Sequence, residues 1–324
     1  MQTPRIVLSA AVLLAACGGA PASSAPVAAD PAVGGPSPAS PAAPPSAPPT
    51  ATAPPPTAAA ASTAAAVPAP APCGALGCLA FDDPDRAFAH VLGDGPRVLA
   101  VGESHAQQGA EGIPSATRRF AERFLPALAG RASDLIIELW VADPRCKKEQ
   151  AARVEEEQRA VTQGQAADNQ NEFLALGHAA KRLGIQPHAL TPSCDEVDAI
   201  ARAGADAVPA MLETIARLTA ARAKALLGRE DRAGKMIVAY GGALHNDVAP
   251  RPGRERWSFG PELAASTGGK YVELDIIVRE FIKDTAPWRA LPWYAHFDRE
   301  EHPDRTVLFN PAPGSYVLIF PRTR

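Results

Sequence analysis

Six short runs of bulky apolar residues punctuate the second two-thirds of the chain: RVLAVGE (97–103), DLIIEL (134–139), IQPHAL (185–190), KMIVAYG (235–241), KYVELDIIV (270–278) and SYVLIF (315–320). Their length and β-branched content predict strands, and their near-continuous apolar character predicts burial on both faces. Between them Ala, Leu and Arg recur at helical spacing over 115–129, 147–160, 167–183, 194–227 (broken near Gly204 and Pro209) and 261–266. Strand-helix alternation of this kind predicts an α/β fold, a mostly parallel sheet flanked by helices on both faces. The terminal LFNPAPGSYVLIFPR, with prolines where an edge strand tolerates them, predicts a C-terminal edge strand or hairpin. No internal repeat is evident.

Before residue 73 the pattern vanishes. From 18 to 72 the chain is mostly Pro, Ala, Ser and Thr, as in PAAPPSAPPTATAPPP, and buries too little apolar surface to offset its ordering entropy. The expectation is a disordered tether with polyproline II character, reaching up to about 170 Å at ~3.1 Å per residue. Ahead of it, IVLSAAVLLAA follows a single Arg5 and is too short to span a bilayer, which predicts a secretory signal. That run ends in Leu14-Ala15-Ala16-Cys17, which is similar to the bacterial lipobox. The likeness implies cleavage before Cys17, lipidation of its sulfur and anchoring in the cell envelope; Gly18 in place of Asp implies the outer membrane of a Gram-negative host. The division expected is therefore signal and lipobox 1–17, tether 18–72, and one α/β domain over 73–324.

Net charge is −3, with 32 basic residues scattered among 35 acidic ones, so nothing provides an electrostatic footprint for nucleic acid. Small molecules, metals or proteins are the partners this balance fits, with the membrane reached through the anchor. With Cys17 set aside, Cys73, Cys78, Cys146 and Cys194 remain in an oxidising compartment. Cys73 and Cys78 are close enough to close a small loop, which leaves Cys146 for Cys194, although three pairings are formally open. Their spacing suits a zinc site poorly, and no neighbour suggests thiolate activation.

Candidate chemistry gathers at strand ends. Glu103 and His105 stand two apart where the first strand finishes, so both project to one side. Glu138 ends an apolar run in the second strand, where a carboxylate is costly to bury unless paired. The fourth strand runs through Gly241 and Gly242 to His245 and Asp247, the aspartate reading better as a turn residue. Ligands of open parallel sheets sit outside the carboxyl ends of the strands, where all of these fall. The set has three chemical uses. Glu103, His105, Glu138 and His245 suit a divalent metal with an open water position. Without metal, His105 serves as general base, Glu138 holds its tautomer and His245 stabilises an oxyanion. The third use is haem ligation by His105 or His245, with Tyr240 the nearest tyrosine. Arg118 and Arg119 are alternative, purely structural partners for Glu103. His90, His178, His188 and the 295–305 cluster with His296 and His302 read as structural or solvated, and Trp257, Trp288 and Trp293 as packing.

VLAVGESHAQQG resembles the Gly-Glu-x-His signature of the ChaN-like haem-binding lipoproteins, and KMIVAYGGALHND resembles their second Gly-rich, His-containing strand end. The wider superfamily includes the Tiki metalloproteases, the TraB-type proteins and the erythromycin esterases. Over residues 82–280 the resemblance implies a related α/β framework with a Glu/His site at Glu103, His105, Glu138 and His245. It implies a lipid-anchored envelope protein that binds haem or a divalent metal; the alternative is a hydrolase of ester or peptide bonds using the same four residues.

Overall fold

The computed structural model describes residues 69–110, 112–162, 165–166 and 169–324. The expected signal, Cys17 and the tether up to residue 68 lie outside the described residues.

Nine strands form one sheet: β1 (Ala71–Pro72), β2 (Leu79–Phe81), β3 (Val98–Glu103), β4 (Ala132–Trp140), β5 (Gln186–Leu190), β6 (Met236–Gly242), β7 (Tyr271–Ile277), β8 (Thr306–Ala312) and β9 (Ser315–Ile319). Their order is β1-β2-β8-β9-β7-β3-β6-β4-β5. From β9 to β5 every pairing is parallel, while β1, β2 and β8 pair antiparallel. The C-terminal hairpin forms, but β9 lies inside the sheet against β7, and the short β1–β2 hairpin supplies the edge instead. Those two strands hold two and three residues, too few to leave a pattern in the sequence.

Period-two alternation sends Leu99 and Val101 to one face of β3 and Val98 and Ala100 to the other. The first face is covered by α1 (Pro84–Leu92), α2 (Ala116–Arg119) and the helical turns that continue it, and α4 (Asn169–Arg182), through Phe88, Phe120, Phe124 and Phe173. The 115–129 run is thus one helical stretch of changing pitch. It widens to a π turn at Phe120–Phe124 and tightens to 3₁₀ at Leu125–Leu128, where Pro126 has no N–H to offer an α-helical ladder. The second face packs against α5 (Cys194–Arg202), α6 (Ala207–Leu227) and α7 (Gly260–Ser266), with α3 (Lys148–Thr162) contributing Val154. The break expected in 194–227 falls at Gly204 (φ 58°); Pro209 sits in the first turn of α6, where its missing N–H costs nothing. Trp288, on α8 (Ala286–Arg289), packs with Trp293 over β8 and β9. No helix among the described residues is long and apolar enough to cross a membrane.

Disulfides join Cys73 to Cys78 and Cys146 to Cys194. The first closes the β1–β2 turn and the second ties the segment after β4 to the start of α5.

Beneath the loop that follows β6, β7 buries two carboxyl groups. Glu273 accepts from the Val248 N–H (2.7 Å) and the Ser315 hydroxyl (3.0 Å), and Asp275 accepts from Asn246 Nδ2 (2.9 Å). Neither has a cationic partner among the described ion pairs. Burial, reinforced by the neighbouring Asp247 carboxylate, pushes Glu273 from 4.5 up to about 7 despite those hydrogen bonds. Burial and the charges of Glu273 and Asp247 raise Asp275 well above the usual range. A carboxyl group whose folded pKa lies above its unfolded value makes the native state the better proton binder between the two. The stability that Glu273 contributes is therefore fully present below about 4.5 and is lost as pH rises through about 7. Thermal unfolding is expected at a higher temperature near pH ~5.5 than near pH ~8, with the difference reduced in Glu273→Gln.

Candidate functional site

The carboxyl ends of β3, β4 and β6 lie side by side along one rim, where Glu103 stands opposite Gly242 in the parallel register. Glu103 continues the Leu99–Val101 face and is 2% exposed. Its Oε2 accepts from the Thr117 hydroxyl on α2 (2.8 Å) and the Tyr240 hydroxyl on β6 (3.3 Å), and its Oε1 faces His105 Nδ1 at 2.7 Å. A carboxylate only accepts, so Nδ1 carries the proton and the Nε2 lone pair points outward in the neutral ring. The Phe173 ring supports the imidazole edge-on at 6.0 Å. Burial draws the pKa of His105 down, but the Glu103 hydrogen bond and charge, followed by the charge of Glu138, outweigh it and leave the value above 6.5.

Glu138 reaches the same place from the opposite face of the sheet. Its side chain follows Ile136 on β4 and folds over Gly241, where an added Cβ would lie 2.3 Å from Glu138 Oε2. The Gly242 N–H donates to that oxygen at 2.6 Å. A Cβ on Gly242 would sit 3.3 Å from His105 Nε2 and 3.6 Å from Glu138 Oε2, so both groups crowd one point above the strand end. The glycine pair is what lets an acid from one face and an imidazole from the other approach each other.

His245 follows in the turn after β6 and is 3% exposed. Its Nδ1 donates to the Trp257 carbonyl (2.8 Å), which leaves Nε2 3.7 Å from Glu138 Oε1. Beside Glu138, His245 and Asn246 lies a cavity of ≈ 10 Å³, about the space of one water. Each imidazole thus has Nδ1 held by a fixed acceptor and Nε2 turned toward the rim. Metal-ligating histidines are oriented in this way. Among the described residues, however, no three acidic, imidazole or thiol side chains are gathered as a group that could hold a metal ion.

Glu103, His105, Glu138 and His245 therefore meet at one rim, with roles partly different from those expected. The partner that sets the His105 tautomer is Glu103, whose Oε1 lies 2.7 Å from Nδ1, and not Glu138, whose Oε2 accepts from the Gly242 N–H. Tyr240, expected as the nearest iron-ligating tyrosine, is not placed for it: the ring is 2% exposed between Phe120 and Phe173, and its hydroxyl is spent on Glu103. Arg118 pairs with Glu122, and Arg119 reaches the Pro114 carbonyl and Thr323, so neither partners Glu103. His188 bonds Asp134, which Arg232 also holds, while His90, His178 and His296 are exposed. Thr117 and the Trp257 carbonyl escaped the sequence reading. A threonine inside a helical run and a backbone oxygen twelve residues beyond the histidine leave no local pattern.

Comparison of the chain with protein-family profiles, curated proteins and solved structures returned no match.

Gly241→Ala places a methyl group where the Glu138 carboxylate lies and must expel it. The expected cost is about 1–3 kcal/mol in denaturant unfolding, as for an overpacked interior. Retention of wild-type stability in that variant contradicts the position assigned to Glu138.

Proposed function

We propose that this rim is the active site of a hydrolase acting on an ester or amide bond, with His105 as general base. The observation that carries the reading is the 2.7 Å contact between the buried Glu103 carboxylate and His105 Nδ1, which leaves Nε2 open at the rim. In the proposed cycle, Nε2 takes a proton from a water molecule as its oxygen attacks the carbonyl carbon. Glu103 then balances the imidazolium charge across the Nδ1 hydrogen bond, without itself being protonated. His245 forms the second half of the site. With Nδ1 committed to Trp257 and Nε2 3.7 Å from Glu138 Oε1, it lines the rim beside the bound group together with that carboxylate. Collapse of the tetrahedral intermediate breaks the bond to the leaving group, which accepts the proton that His105 took from the water and so restores the neutral base. No step requires a metal or haem.

Two further observations support the reading. The four residues are those that match the Glu/His positions of a superfamily containing esterases and proteases, and the lipobox-like LAAC followed by a Pro/Ala-rich stretch fits a lipid-anchored enzyme of the cell envelope.

Because the base must be unprotonated, hydrolysis of a suitable ester or peptide is expected to rise with pH through an inflection above 6.5. Glu103→Gln should move that inflection to lower pH and slow turnover. His105→Ala should cost roughly 10²–10⁴-fold in kcat. Activity that persists in His105→Ala, or an inflection indifferent to Glu103→Gln, overturns the mechanism.

A further inference from the structure

The loop that carries His245 away from the sheet, 246–258, holds a group of cations that the hydrolytic steps do not use. Arg251 and Arg254 are both half-buried, yet neither side chain makes an ion pair or a hydrogen bond among the described residues. Arg256 and Arg118, by contrast, are satisfied by Glu213 and Glu122. The Arg254 guanidinium stands 5.7 Å from the centre of the Trp257 ring. A stacked guanidinium keeps the N–H groups of its edge free, and a planar fork of donors matches the oxygens of a carboxylate or phosphate.

The two guanidiniums also repel each other. Burial lowers the pKa of Arg251, the charge of Arg254 lowers it further, and Asp247 offsets them only in part. Asp247 is itself mostly buried, next to the Glu273–Asp275 pair; desolvation raises its pKa against the pull of Arg251 and Arg254, so one carboxylate stands against two guanidiniums. Glu255 is engaged locally, its Oε2 accepting from the Gly253 N–H at 2.9 Å. Two like charges that share one carboxylate are relieved by an incoming anion.

The backbone that carries them is tied to the rim by hydrogen bonds. The Trp257 carbonyl holds His245 Nδ1, the Trp257 N–H donates to the Arg254 carbonyl (2.9 Å), and the Ser258 hydroxyl donates to the Asp247 carbonyl (2.6 Å). The arginines, the indole and the His245 imidazole therefore belong to one tied loop.

We infer that Arg251 and Arg254, with Trp257 as a flat wall, form a subsite for an oxyanion, carboxylate or phosphate, on the substrate or its leaving group. Its meaning as a substrate subsite rests on the hydrolase reading; the anion binding does not. The pair is also a specificity element, since neutral analogues leave the two guanidiniums uncompensated.

Calorimetric titration of the full chain with phenyl phosphate, benzoate and benzyl alcohol tests the subsite. Both wild type and His105→Ala are expected to bind at least one of the two anions and to bind benzyl alcohol far more weakly. Preference between phenyl phosphate and benzoate identifies the oxyanion. The double variant Arg251→Gln/Arg254→Gln should bind the preferred anion at least about tenfold more weakly with an unchanged melting temperature, the loss expected for hydrogen-bonded charge pairs. Arg251→Lys/Arg254→Lys keeps the charge without the fork and should fall between. Equal affinity in wild type and the Gln double variant, benzyl alcohol binding as tightly as the anions, or no anion binding overturns the subsite. Loss of hydrolysis in His105→Ala with anion binding intact separates the two functions, and failure of the hydrolase reading leaves the binding result standing.

Discussion

A carboxylate withdrawn from water at the end of a central strand is the constraint around which this rim is organised. Burying Glu103 without partners would cost several kcal/mol, and the structure supplies donors from three directions: Thr117 from α2, Tyr240 from β6 and His105 from the segment just past β3. Each donor is held in turn by packing. Tyr240 lies between Phe120 and Phe173, and Phe173 also supports the His105 ring. The aromatic layer that stabilises the sheet thereby sets the orientation of the one imidazole open at the rim. Core and site share the same side chains, so damage to either is felt in the other.

Sheet geometry explains why two acids can serve one rim without repelling each other outright. Glu103 and Glu138 leave the sheet on opposite faces, and only the absence of side chains at Gly241 and Gly242 lets Glu138 curl back over the strand end. There it is stabilised by a backbone N–H and faces an imidazole on each side, at His105 and His245. The result is two carboxylate–imidazole pairs at one edge. In one the contact is short and the ring nitrogen beyond it is open; in the other the gap is 3.7 Å and the ring is buried. That asymmetry separates an imidazole that meets solvent from a buried one that lines the other side of the rim.

Much of this was legible in the residue pattern because strongly apolar strands and glycine-marked strand ends are local signals. The six long apolar runs all became strands within two residues of their expected limits, and the four acid and imidazole positions converged because the ends of parallel strands must. What escaped depends on contacts between distant segments. β1 and β2 exist through their pairing with each other and with β8, and are too short to show a period. Which acid orients His105 could not be read from spacing, since both lie at strand ends and only the fold shows Glu103 against Nδ1 and Glu138 against the Gly242 N–H. Tyr240 is the nearest tyrosine in sequence, yet strand alternation points it into the aromatic layer. Arg251 and Arg254 carried no signal, because only the fold shows that their neighbours leave their side chains without a hydrogen bond.

The protonation state of His105 tests the central interaction most directly. Long-range ¹⁵N–¹H correlation spectra, recorded across pH, distinguish which ring nitrogen carries the proton and where the ring titrates. A neutral ring protonated at Nδ1, with a pKa above 6.5 that drops in Glu103→Gln, is the expected result. A ring protonated at Nε2, or a titration unchanged by removing the Glu103 charge, contradicts the Glu103–His105 pair and the chemistry built on it.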